Sequence, residues 1–372
     1  MFSIKNENAM SFKGKVLEFN EEQRRIFIDA QQLWEAFCEL YHEGLSYRGG
    51  LYWKNVRGRD YLIRVLDSRG ATKSLGPRSP ETEKIFENWH RKKEEFRRKR
   101  EAFMQKADIV RRMCKALHLN RVPLVVAKIA REMFLMRDLR KRTMILGTNA
   151  IYAYEAMAGV FVSSGLLATR DLDVLWDARS CLQIAGLSKE GFLGLLKRAD
   201  PSFRPGDTPY RAVNKDGFWV ELLKPTPKTL TEIQNPHLRI SPFPEDMLAL
   251  ETKGTRWIVS CPKVYAIAIG HDGLPVPLVV PDPRAFVLHK LWVARQTDRP
   301  ALKRKRDVAQ ALLVFYLLKH YLPQFPLNEE TVNRELQALP VKLRKLTKLL
   351  SEDKNEDETY RAIRNALPSM GY

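Results

Sequence analysis

The chain has 372 residues, 44% of them hydrophobic, and a formal net charge of +19 at pH 7. That length and apolar content exclude a disordered chain and leave room for two domains. No run of the sequence is long and apolar enough to span a bilayer, so membrane classes are set aside, and the charge points to a polyanionic partner, nucleic acid first. Cys38, Cys114, Cys181 and Cys261 lie far apart without a Cys-x-x-Cys pair, which excludes a disulfide framework or zinc knuckle and places the chain in the reducing cytoplasm.

Residues 21–45 repeat apolar side chains at three- and four-residue spacing and stop near Gly44, which predicts a helix. Beyond it, "GLYWKNVRGRDYLIRVLDSRGATKSLG" divides into short β-rich runs at Arg57-Gly58-Arg59 and Ser68-Arg69-Gly70, a basic hairpin or three-stranded meander. Lys54, Arg57, Arg59 and Arg64 interleave there with Tyr52, Trp53 and Tyr61, a pattern able to grip phosphates and stack bases, though ordinary hairpin packing produces it too. A long charged helix follows from Ser79, with an apolar stripe through Ile85, Trp89, Phe96, Phe103 and Val110. Its run Arg97-Arg98-Lys99-Arg100 is either a solvated face or a strip against a phosphate backbone. After a turn near Asn120 to Pro123, "LVVAKIAREMFLMRDL" reads as one further helix.

Asp171 and Asp173 in "RDLDVLW" stand at i and i+2, so a strand puts both carboxylates on one face while Leu172 and Val174 face the core. Adjacent anions repel, and a divalent cation resolves the conflict. Glu221, in the apolar strand "DGFWVELLKP", supplies a third acid with Val220 and Leu222 pointing the other way. Taken singly, Asp-Leu-Asp also fits an edge strand or a helix cap, and Glu221 also fits an ion pair with Lys224.

Beyond Leu250, "RWIVS", "VYAIAIG" and "PVPLVV" read as three strands that extend the sheet. "DPRAFVLHKLWVARQ" and "KRKRDVAQALLVFYLLKHYL" read as helices, and the tail from Leu327 as two or three small amphipathic ones. Lys303, Arg304 and Lys305 read as a basic surface and His289 as a packed side chain.

The order of a Gly-small turn, a helix, an Asp-x-Asp strand and a lone acid in a later strand resembles the polymerase β-like nucleotidyltransferase superfamily. Gly147-Thr148, Asp171, Asp173 and Glu221 occupy those positions, and "ILGTNAIYAYE" looks like the openings of AbiEii-like and minimal nucleotidyltransferases; the likeness spans roughly residues 140 to 310. About two dozen residues separate the glycine from the first aspartate, about twice the family's spacing, which implies a longer helix or an inserted loop.

The resemblance implies an α+β chain whose mixed sheet is flanked by helices: residues 1–120 form a basic helix, meander and long-helix module, 121–282 the catalytic core and 283–372 a helical region. It implies Asp171, Asp173 and Glu221 as catalytic ligands of Mg2+ or Mn2+ and a nucleoside triphosphate such as ATP as substrate. Gly147, Thr148 and Lys290 would bind the nucleotide, with Arg306-Asp307 matching a later family motif or else forming a local salt bridge. The acceptor would be an RNA such as tRNA, as for toxins of toxin–antitoxin systems. A small molecule, a protein side chain, or an inactive nucleic-acid-binding fold are the alternatives; oligomeric state is left open.

Overall fold

A computed structural model describes residues 16–66, 70–180, 190–234 and 238–336, with isolated positions among 181–189 and beyond 336. The chain divides into two compact units, one of Arg25–Leu119 with Gly273–Pro275, the other of Asn120–Asp272 with the residues that precede Arg25 and follow Pro275.

In chain order, strand β1 (Val16–Glu18) precedes helix α1 (Glu21–Leu45), which buries Ile26, Phe27, Ala30, Leu33 and Trp34 at the expected helical spacing. Strands β2 (Leu51–Val56), β3 (Arg59–Val65) and β4 (Thr72–Pro77) form an antiparallel meander. Arg57 (φ 52°) and Gly58 (φ 81°) make the two-residue β2–β3 turn, whose left-handed backbone matches the twist of the flanking strands. Helix α2 (Pro80–Ala116) starts with a reciprocal cap: the Ser79 amide donates to Thr82 Oγ1 (2.8 Å) and the Thr82 amide to Ser79 Oγ (3.3 Å). Its apolar stripe differs from expectation at the first step, because Ile85 is exposed and Phe86 instead packs on Trp53 with ring centroids 5.6 Å apart.

The helix expected after Pro123 is two, α3 (Leu124–Leu135) and α4 (Arg137–Arg142), parted at Met136, whose backbone is extended (φ −90°, ψ 103°). Strand β5 (Thr143–Leu146) leads through a tight turn at Gly147–Ala150 into α5 (Ile151–Ala158), then β6 (Val160–Val162), the one-turn α6 (Ser164–Leu167) and β7 (Asp171–Trp176). The long interval from Gly147 to Asp171 is therefore neither a long helix nor a loop; it houses β6, which pairs with β1, and α6. Arg121 pins this insert: its guanidinium donates to both Glu155 carboxylate oxygens (2.9 and 3.2 Å) and to the Val162 carbonyl (2.7 Å).

Helix α7 (Gly191–Ala199), β8 (Arg204–Pro205), β9 (Arg211–Val213), β10 (Trp219–Pro225), α8 (Leu230–Gln234) and β11 (Leu250–Thr252) complete a mixed sheet in the order β5-β7-β10-β9-β8, with β11 beside the far end of β10. Strand β10 runs parallel to β7 and antiparallel to β9, and β5 is antiparallel to β7.

Two expectations for the following segment are corrected. "RWIVS" lies in a helical turn, α9 (Thr255–Ile258), with Trp257 and Ile258 buried, and not in a strand. Strands β12 (Lys263–Ile269) and β13 (Pro275–Pro281) pair with each other as a two-stranded sheet and do not extend the large one. Helix α10 (Pro283–Ala294) starts at Asp282, whose carboxylate accepts from the Arg284 amide (2.8 Å) and guanidinium; Arg284 in turn holds Glu335 (2.6 Å) of α12 (Glu329–Glu335). Helix α11 (Ala301–His320) packs along α10. Most of the tail expected to form further helices lies outside the described residues. No helix among the described residues is long and apolar enough to cross a membrane.

Candidate active site

Strand register assembles the three acids. In the parallel pairing of β10 with β7, Trp219 stands opposite Asp171 and Glu221 opposite Asp173, so all four share one face at the starting ends of both strands. The intervening Leu172, Val174, Val220 and Leu222 are fully buried beneath the other face. Leu146, the last residue of β5, pairs with Asp173, which delivers the Gly147 turn to the same end of the sheet.

Gly147 has a φ of 64°, and a β-carbon built there would lie 2.5 Å from Asp173 Oδ2. A glycine is required on both counts: the backbone is left-handed and it passes against a carboxylate. The next residue, Thr148, is buried, and its hydroxyl accepts hydrogen bonds from Gln310 Nε2 (3.0 Å) and Arg306 Nη2 (3.2 Å) of α11. Its own hydroxyl hydrogen has no acceptor among the described residues. Asn149 Nδ2 donates to the Asp171 carbonyl (2.7 Å), tying the turn to the first residue of β7.

The acids differ in their surroundings. Asp171 accepts a hydrogen bond from Thr169, and Glu221 Oε1 accepts from Arg211 Nε at 2.9 Å. No side chain among the described residues donates to the Asp173 carboxylate. Burial first, then the charges of Asp171 and Glu221, raise its pKa to about 7, against the opposing pull of Lys290 and Arg299. Among the described residues no cation forms a salt bridge with this carboxylate, and its hard oxygen donors fit Mg2+ or Mn2+. Among the described residues no group of three His, Cys, Asp or Glu side chains is arranged as a ready-made metal cage. Arg211 and Thr169 occupy oxygens of Glu221 and Asp171 that such a cage would use.

The cations come from the helical side. Lys290 Nζ is buried and lies 2.8 Å from Asp307 Oδ1, while Arg299 Nε donates to Asp307 Oδ2 at 2.8 Å. Asp307 thus holds two cations in the neighbourhood of Asp173, and burial lowers the Lys290 pKa against the pull of Asp307. Among the described residues Arg306 forms no salt bridge with a neighbouring acid, contrary to the local-pair alternative; it bonds Thr148 and the Ala168 carbonyl. Likewise Lys224 pairs with Glu251 (3.1 Å), leaving Glu221 to Arg211. His289 lies between Trp257 and Trp292, and burial lowers its pKa to about 3, so it is neutral at physiological pH.

Arg211, Arg299, Thr169, Gln310 and the anchoring role of Asp307 were not singled out from the sequence. Gln310 meets Thr148 across 162 residues, whereas Thr169, Arg299 and Arg211 meet Asp171, Asp307 and Glu221 two, eight and ten residues away in pairings set by turns and strand register that no motif announces.

In the other unit, Lys54, Arg57 and Arg59 are exposed around the β2–β3 turn. Arg64 is instead engaged, donating to the Ser46 carbonyl (2.8 Å) with its guanidinium 5.2 Å from the Trp89 ring centroid. In the basic run of α2, Arg97 bonds Glu94 and Glu101, Arg98 bonds Glu94 and Lys99 bonds Glu43. Its charge is largely matched by local acids.

Residues 125–335 match the family model described as Nucleotidyltransferase, and this covers more than half of the chain. The protein belongs to that nucleotidyltransferase family: it is an enzyme of nucleotidyl transfer with a nucleoside triphosphate as substrate, built on an α+β fold with a mixed sheet. No curated protein and no solved structure matches it.

Proposed function

We propose that the chain is a cytoplasmic, metal-dependent nucleotidyltransferase of the polymerase β-like, AbiEii-like type that moves a nucleoside monophosphate from a triphosphate such as ATP to a hydroxyl of RNA, with tRNA the leading acceptor. The observation that carries this is the register that sets Asp171, Asp173 and Glu221 on one sheet face beneath the Gly147 turn. Three half-buried hard carboxylates, one of them without a hydrogen-bond donor among the described residues, suit Mg2+ or Mn2+, which when bound supplies charge neutralisation for the attacking and leaving oxygens.

The protein's own groups position the substrate. Gly147 lets backbone amides approach the triphosphate, and Thr148, whose lone pairs already accept from α11, has a hydrogen left to donate. Lys290 and Arg299, held by Asp307, face the developing charge. The acceptor oxygen bonds to the α-phosphorus, the bond to the bridging oxygen breaks, pyrophosphate leaves and the hydroxyl proton passes to solvent. Lys54, Arg57 and Arg59 add a charged grip for RNA, in keeping with the net charge of +19. Cys114 and Cys261 are free thiols, which suits a reducing compartment.

Incubation with each α-labelled triphosphate, magnesium and total cellular RNA tests the reading. Label in an RNA band, with pyrophosphate released, is expected; label in protein or in a small molecule would move the acceptor to that class.

A further inference from the structure

Trp219 is a large aromatic that is 42% exposed at the first position of β10, opposite Asp171 and on the face that carries the acids. Exposure of an indole at a strand start is unremarkable alone, but this one is held. The Arg211 guanidinium lies 4.4 Å from its ring centroid while the same group bonds Glu221. Among the described residues no other aromatic ring stacks on it.

Strand order decides which substrate it meets. Gly147 follows β5, on one side of β7, whereas Arg211 and Trp219 lie on the other side, in β9 and β10. In-line displacement puts the attacking hydroxyl and the departing pyrophosphate on opposite sides of the phosphorus. With pyrophosphate at the Gly147 turn and the helical cations, the acceptor enters from the side of Glu221. Resting on the triad assignment made above, we propose that Trp219 and Arg211 form the acceptor platform: the indole stacks the terminal base of a single-stranded RNA end and the guanidinium neutralises its last phosphate. An aromatic face joined to a cation is the chemistry by which proteins hold unpaired bases without reading their sequence.

The test is binding of a fluorescent adenylate trinucleotide to the full chain without metal or triphosphate, compared with binding of a non-hydrolysable ATP analogue in magnesium. Trp219→Ala should weaken the trinucleotide about tenfold and leave the analogue unchanged, while Trp219→Phe should retain most of the affinity. Unchanged trinucleotide affinity in the alanine variant would overturn the platform. A larger loss for the analogue than for the trinucleotide would assign the ring to the incoming nucleotide and overturn it as well. A phenylalanine variant as weak as alanine would show that stacking is not the interaction. Because binding is read without turnover, loss of transfer in Asp171→Asn tests the triad separately.

Discussion

Glu221 stands directly opposite Asp173 across the parallel β7–β10 pair, yet its carboxylate is held by Arg211 from β9 while that of Asp173 has no donor among the described residues. The sheet thus presents an asymmetric pair, one acid with its charge matched and one without. That asymmetry predicts how the site titrates.

Asp173 has a folded-state pKa of about 7, raised by burial and by Asp171 and Glu221 and opposed by Lys290 and Arg299, against an ordinary value near 3.8. The unfolded chain therefore loses this proton first as pH rises, and metal-free stability should fall between about pH 4 and pH 7 on account of this group. Asp173→Asn should remove that slope and raise metal-free stability at pH 7 by on the order of 2 kcal/mol, after allowance for solvent access. Magnesium affinity should rise with pH over the same interval, because the ion competes with the proton. Thermal denaturation across pH, with and without magnesium, checks both; a parallel slope in the variant would place the proton elsewhere.

Asp307→Asn should release both Lys290 and Arg299 and weaken triphosphate binding by about tenfold or more, with a smaller effect of Lys290→Ala alone, since Arg299 would remain. Equilibrium binding of a triphosphate analogue measures this. Equal affinity in wild type and both variants would mean that the cations serve the fold.

The ion pair of Arg121 with Glu155 is structural. Burial raises the Glu155 pKa against the pull of Arg121, so Arg121→Met would leave a buried carboxylate with, among the described residues, only the Val162 amide as donor. A destabilisation of about 3 kcal/mol is expected from denaturant unfolding. A change under about 1 kcal/mol would show that the insert between α5 and β7 holds without the pair.

Much of this core was legible because the acids interrupt apolar strands: Asp171, Asp173 and Glu221 alternate with residues that are fully buried, and the period of two fixes their common face. Gly147 was legible as a turn, but the close approach to Asp173 that makes it irreplaceable is a tertiary fact. "RWIVS" misleads because a short apolar run fits strand or buried helix equally, and Gly254, with its left-handed backbone against Trp292, starts a helical turn there. The break at Met136 has no proline or glycine to announce it. Arg64, read as part of a phosphate grip, is turned to Trp89 by contacts that no local pattern encodes.

For RNA binding, reversal of Lys54, Arg57 and Arg59 to glutamate should flatten the dependence of affinity on salt, since each phosphate contact contributes about one unit of slope. Arg64 is left out because its change would disturb the meander itself. An unchanged slope in the triple variant would remove this surface from RNA recognition.

The central claim is that Asp171, Asp173 and Glu221 hold the metal that supports transfer, and titration calorimetry of Mn2+ with a triphosphate analogue, paired with release of pyrophosphate, tests it most directly. Wild type should bind the ion and turn over. Asp171→Asn and Asp173→Asn should lose both, with turnover down by about a thousandfold or more, and Glu221→Gln should lose most of the activity, all with cooperative unfolding intact. Unaltered ion binding and pyrophosphate release in the two aspartate variants would contradict the account.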